Sequence, residues 1–248
     1  MKPARRGAML ARQMQTFPEI LTLPRGPVPV AWRQSLRARR VSLRIDARDG
    51  AVVITLPARA GRPAGMALLM DQAGWVADRL AALPGRVRFA DGAVLPLGGR
   101  PVRIRHVAAW RRGRGPAWLE RGELLVGGEA ALLSRRVGEF LRNEARRRLA
   151  SAALSKARAI AAPIRCVVVK DPSTRWGSCA ADGTLMFSWR LVMAPPPVQD
   201  YAVAHEVAHL RHMDHGQDFW ALVDGLTPHR EAASAWLRHE GLGLLRVG

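Results

Sequence analysis

The chain has 248 residues, enough for one large domain or two modest ones, and its 48% hydrophobic content suits a packed globule. No stretch reaches about eighteen uncharged apolar residues and the Arg-rich start lacks a sustained apolar run, which argues against a membrane span or a secretory leader. The formal charge of +19 is unevenly placed: residues 1–40 hold nine Lys/Arg against Glu19 alone, residues 134–158 hold eight against Glu139 and Glu144, and residues 159–248 hold eight against nine acids.

The basic excess therefore lies in the N-terminal tail and one Arg-rich segment, where it could engage nucleic acid or another polyanion. Lysine occurs only at 2, 156 and 170, so a general bias toward arginine accounts for the same charge without a partner. Cys166 and Cys179 form no CxxC and are expected as reduced thiols, packed as small hydrophobes in a cytoplasmic protein.

In chain order, residues 1–30 are basic and contain Pro18, Pro24, Pro27 and Pro29, the composition of a flexible extension. Val41 to Leu56 alternates apolar and polar around Asp49-Gly50, which predicts a β-hairpin. Residues 64–83 carry apolar positions at helical spacing and stop at Pro84-Gly85. Turn-punctuated strand regions follow at 87–106 and 117–126. The region 31–133 is thus expected to be mainly β with one helix.

Residues 134–162 form the longest helical pattern, with Val137, Phe140, Leu141, Leu149 and Leu154 on the buried side and Pro163 as the stop. Cys166-Val-Val-Val reads as a short strand, and residues 184–192 as another, entered through Asp182-Gly183. A helix at 198–213 and two short helices near 216–225 and 229–240 complete an α+β chain.

The helix at 198–213 carries the chemistry. It contains His205-Glu206-Val207-Ala208-His209, with His215 six residues beyond, the spacing H-E-x-x-H-x5-H. Histidines four apart share one helix face and can reach one zinc ion, and the glutamate beside the first is placed to hold a water. Six of the seven histidines fall between 205 and 239. A catalytic zinc takes three protein ligands and leaves one position open. His215, beyond the helix end, is the favoured third ligand, because a straight helix carries His212 too far along its axis. His212 and the acids Asp214, Asp218, Asp224 and Glu231 remain alternatives.

Around this helix, Arg175-Trp176-Gly177-Ser178-Cys179, Phe187-Ser188-Trp189-Arg190-Leu191, Ala194-Pro195, Asp200-Tyr201, His215-Gly216 and Phe219-Trp220 together resemble the YgjP-like metallopeptidase family over roughly residues 35 to 245. The histidine spacing is also similar to that of WLM-type proteases, and more loosely to SprT-type ones, which act on proteins bound to DNA. The resemblance implies a zincin-like metallopeptidase domain over 134–248, with Zn2+ on His205, His209 and His215 and with Glu206 catalytic.

Chemistry gives Glu206 the same role, as general base toward a zinc-bound water that attacks a peptide carbonyl. Protein or peptide is the expected substrate. The alternative is a nucleic-acid-associated protein, or a protease acting on DNA-bound proteins, that uses the basic tail and the helix at 134–158. For the oxyanion stabiliser, Tyr201, Arg175 and His212 are candidates, although Tyr201 equally fits the core. Asp171, Arg175 and Trp176–Ser178 are expected to shape the cleft, with Gly177 in a tight turn that a Cβ would forbid. The strand at 184–192 could receive an extended peptide along its edge, and Phe219-Trp220 should pack below the metal.

Overall fold

A computed structural model describes residues 18–108 and 115–248. The architecture is α+β, and the chain separates into two compact units at Ala82/Leu83. The expected domain boundary at 133/134 therefore falls inside the second unit. No helix among the described residues is long and apolar enough to cross a membrane.

The first unit contains strands β1 (Glu19–Leu23), β2 (Gly26–Ser35), β3 (Ser42–Asp46) and β4 (Ala51–Pro57), in the order β1-β2-β4-β3. β3 and β4 form the expected hairpin, closed by Gly50 at φ 64°. Residues 19–30, expected as part of a flexible extension, are instead paired strands, and the first seventeen residues lie outside the described ones. The prolines mislead here. Pro27 and Pro29 share one parity of β2 and precede the pairing with β4 that begins at Val30, so their missing N–H groups interrupt no bond of that ladder. Val28 and Val30 take the other parity and are buried.

The helix expected at 64–83 is two, α1 (Arg62–Asp71) and α2 (Ala73–Ala81), interrupted at Gln72. α1 lies so close on the sheet that a Cβ at Gly65 would stand 2.5 Å from the Trp32 ring and 3.0 Å from Ile54.

The second unit begins with β5 (Val94–Leu97), β6 (Arg100–Val107), β7 (Ala117–Glu120) and β8 (Glu123–Gly127) in the order β5-β6-β8-β7. α3 (Leu133–Ala159) packs through Val137, Leu141, Ala145, Leu149, Ala153 and Ala157. Alanines fill three of these positions, so the helix approaches its neighbours closely, while Leu154, expected in the buried face, is 45% exposed.

A three-stranded sheet follows, with β9 (Cys166–Lys170), β10 (Gly177–Cys179) and β11 (Thr184–Ser188) in the order β10-β11-β9. The strand expected at 184–192 thus occupies the centre of its sheet and offers no edge. It also ends early. Ser188 turns the chain into a 3-10 turn over Trp189–Met193, its hydroxyl accepting from the Arg190 N–H. Cys166 and Cys179 are both free, and Cys166 is exposed rather than packed.

The remaining helices are α4 (Pro196–Ala208), α5 (Gln217–Leu226), α6 (Arg230–His239) and α7 (Gly241–Leu245). Arg190 holds the C-terminal end against this core. Its Nε donates to Asp171 Oδ1 at 2.8 Å and its Nη1 to the carbonyls of Leu244, also at 2.8 Å, and Val247. Asp171 is thus engaged with Arg190, where the sequence had suggested a cleft residue. The Arg190 side chain is 4% exposed and that of Asp171 32%. Removing one partner of such a pair strands the other, and the partial exposure of Asp171 moderates the penalty. We expect Arg190→Ala to lower stability by about 3 kcal/mol, read as a reduced urea midpoint at unchanged slope.

Candidate metal centre

α4 is the structural spine of the site. Pro196 and Pro197 start it where their missing N–H groups cost nothing. It is buried on nearly every side, through Val198, Tyr201, Ala202, Val203, Ala204, Val207 and Ala208, and Gln199 anchors it by donating to the Ala194 carbonyl at 2.7 Å. Asp200 falls beyond the first turn and pairs with Lys156 of α3 at 2.7 Å.

The helix ends at Ala208, five residues earlier than the spacing predicts, with His209 as its C-cap. His212 is therefore outside it, and its backbone acts where its side chain was a candidate: the His212 carbonyl lies 2.9 Å from His209 Nδ1. With Nδ1 donating to that carbonyl, Nε2 of His209 is the free lone pair, a common way of fixing a ligand tautomer.

Beyond this turn the chain returns to bring His215 beside the helix. Ligand atoms of His205, His209 and His215 all lie within 4.8 Å of one another, and His205 Nε2 and His215 Nε2 are 3.2 Å apart. Zinc–nitrogen bonds of about 2.0–2.1 Å in a tetrahedron separate two ligand nitrogens by about 3.3 Å, so the set fits such an ion. Among the described residues this is the only His, Cys, Asp or Glu group so converged. The acidic alternatives stand elsewhere. Asp214 accepts from the Gly216 N–H, Asp224 pairs with Arg230, and Asp218 and Glu231 are exposed.

Aromatic side chains frame the imidazoles. Phe219, fully buried, has its ring centroid 4.5 Å from that of His209, 4.7 Å from His215 and 5.0 Å from His205, and Trp220 stacks at 5.7 Å on His215. Tyr201 meets His205 edge-on at 6.0 Å and belongs to the buried core. Burial, and then the neighbouring His209 and His215, push His205 down to about 4. Its imidazole is neutral at physiological pH, the form that binds metal. Burial likewise lowers His209.

Glu206 is 7% exposed. Burial pushes its carboxyl up to about 7, against the opposing charge of Arg175. The space it occupies exists because residue 177 has no side chain: a Cβ there would stand 2.5 Å from both Cγ and Oε1 of Glu206. Gly177 is thus required for the close approach of β10 to α4, not for the tight turn expected from the sequence; it sits within a strand, opposite Phe187. The outer side of β10, away from β11, carries no strand among the described residues. A strand of three residues is too short to carry a periodic signal, although the glycine inside the RWGSC segment marked the place.

The model of a family described as YgjP-like, metallopeptidase domain, matches residues 39–240. No curated protein and no solved structure matches the chain.

Proposed function

The chain belongs to the YgjP-like metallopeptidase family, and from that premise we propose that it is a zinc-dependent peptidase in which His205, His209 and His215 hold the ion and Glu206 moves the protons. The observation that carries this reading is the convergence of three imidazoles around one point, with the buried carboxyl of Glu206 next in sequence to His205 on α4. A site serving structure alone would favour a fourth protein ligand.

Bound zinc would supply Lewis acidity toward water and toward the substrate carbonyl. Glu206 accepts the proton of the attacking water and returns it to the leaving amine, so that one carboxyl serves as base and then as acid. The His212 carbonyl keeps His209 in register. An extended substrate pairs with the free edge of β10, which puts its backbone alongside Glu206. This strand takes the role the sequence suggested for residues 184–192.

Protein or peptide is the substrate class. The nucleic-acid alternative draws less support, since the matched family is described by a peptidase domain. Part of the charge on α3 is also paired within the protein, Arg147 and Arg148 with Glu144, and Arg135 with Glu139.

The test is zinc content by mass spectrometry beside hydrolysis of casein by wild type and Glu206→Gln. Wild type lacking zinc after metal-replete purification would refute the reading. Gly177→Ala tests the positioning of the carboxyl. The added methyl collides with Glu206, and a displacement near 1 Å costs on the order of 10²-fold in turnover. We expect kcat to fall by about that factor while KM and zinc content hold, with the pH profile of kcat shifted. An unchanged pH profile together with a raised KM would instead indicate a general disturbance of the substrate edge.

A further inference from the structure

Immediately before the free edge strand, residues 173–176 form one wall of a cavity of about 260 Å³, and α6 and α7 form the other. Its lining combines the apolar Trp176, Leu237 and Leu245 with Ser173, Thr174 and two exposed arginines, Arg175 and Arg238. Neither guanidinium has an ion-pair partner among the described residues, whereas Asp200, Asp171 and Asp224 are each already paired with another cation. Two guanidiniums without ion-pair partners, lining one cavity together with apolar side chains, suit an anion on a short carbon stem. At this volume the cavity suits one side chain or one chain end, below the range of drug-sized pockets.

The cavity adjoins the metal centre. Arg175 is two residues from Gly177, whose Cα lies against Glu206, and the Trp176 carbonyl accepts from the Ser188 N–H at 2.8 Å, which continues the β10–β11 ladder up to the cavity wall. The charge of Arg175 is felt at Glu206, and that of Arg238 at Tyr201 beside His205. A peptide running along β10 past Glu206 therefore reaches the cavity within a few residues of the bond next to the metal.

We propose that this cavity is a specificity subsite that receives a carboxylate of the substrate, bound by Arg175 and Arg238. The inference rests on the peptidase reading and adds to it a class of substrate. A carboxylate on a short stem comes from two sources, an Asp or Glu side chain or the α-carboxylate at a peptide's C-terminus. The first would make the enzyme an endopeptidase selective for acidic residues, the second one that works near chain ends.

The test uses zinc-loaded full-length Glu206→Gln protein, so that binding is read without turnover, and labelled peptides in matched sets: Glu against Gln at each position, and free C-terminus against C-terminal amide. Fluorescence anisotropy should give about tenfold tighter binding for one of the two carboxylate sets, the scale of one charge-assisted pair. The source is read from which set responds. Adding Arg238→Gln or Arg175→Gln should reduce that ratio toward one, with peptides lacking the carboxylate as the reference. Equal binding of acid and neutral peptides would overturn the subsite. So would a preference that survives both arginine substitutions, since it would then belong to the metal ion. Hydrolysis of the same peptides by the otherwise unaltered enzyme separates the two readings: cleavage without carboxylate selectivity leaves the peptidase standing, and selective binding without cleavage leaves the subsite standing.

Discussion

Glu206→Gln should retain zinc at the wild-type ratio and lose peptide hydrolysis by about 10²–10⁴-fold, the usual share of a positioned acid–base group. The amide is nearly isosteric and keeps the packing against Gly177, where there is no room for a larger group. It cannot accept the water's proton or return it to the amine, so the loss should appear in kcat with KM little changed. The buried setting sharpens the expectation. In the metal-free protein burial holds the carboxyl near 7, well above the ordinary carboxylate value, so folding favours its protonated form. Between the ordinary value and about 7 the folded state binds more protons there than the unfolded chain, and this group's contribution to stability falls as pH rises through that window. Glu206→Gln removes that dependence. Metal-free variant protein should therefore melt higher than metal-free wild type at pH 8, while the two converge near pH 4. A variant inactive because it had lost zinc would fail the first of these results, and a misfolded one would fail both.

The sequence carried the site further than it carried the fold around it. His205, Glu206 and His209 follow from a local periodicity, since residues four apart on a helix must share a face, and the turn after the helix is short enough to return His215 to the same point. Three features were not local. α4 ends early at His209, whose ring meets the backbone carbonyl of His212, and no pattern of side-chain types records a carbonyl's position. The central position of β11 depends on pairing with β10, three residues long and lacking a period, and with β9 eighteen residues upstream. Gly177 stood in a recognisable segment, but its purpose required knowing which side chain would lie over it.

Composition misled at the N-terminal end for a related reason. Prolines at alternate positions read as a linker, yet alternation is also the period of a strand, and Val28 and Val30 on the other parity are buried. In α3 the hydrophobic positions were assigned by size, so Leu154 was expected inside; the packed stripe instead runs through Ala145, Leu149, Ala153 and Ala157 at four-residue spacing. Close packing of helices selects small residues as readily as large ones, and a size-weighted reading overlooks them.

Substituting any one of His205, His209 or His215 by alanine should abolish stable metal binding. Loss of groups that merely orient a ligand lowers affinity by about 10–100-fold, so removal of a ligand itself should exceed about 100-fold. The three positions should differ in their side effects. His205 is held within α4 among Tyr201, His209, His215, Phe219 and Trp220, so His205→Ala opens a cavity beneath the helix and should also lower the stability of the metal-free protein. His215 lies on the exposed return segment, and His215→Ala should lose the metal with the metal-free melting temperature unchanged. Protons supply a second readout. His205 is lowered to about 4, so between about 4 and its ordinary value the folded metal-free protein binds fewer protons there than the unfolded chain, and this contribution to stability falls as pH drops through that window. At pH 5.5 the imidazole is already neutral and has no proton to give up when zinc arrives. Calorimetry in buffers of different ionisation enthalpy should accordingly find fewer protons released per zinc than three ordinary imidazoles would yield at that pH. Release matching three ordinary imidazoles, or stoichiometric zinc in His215→Ala, would place the metal on a different set of ligands.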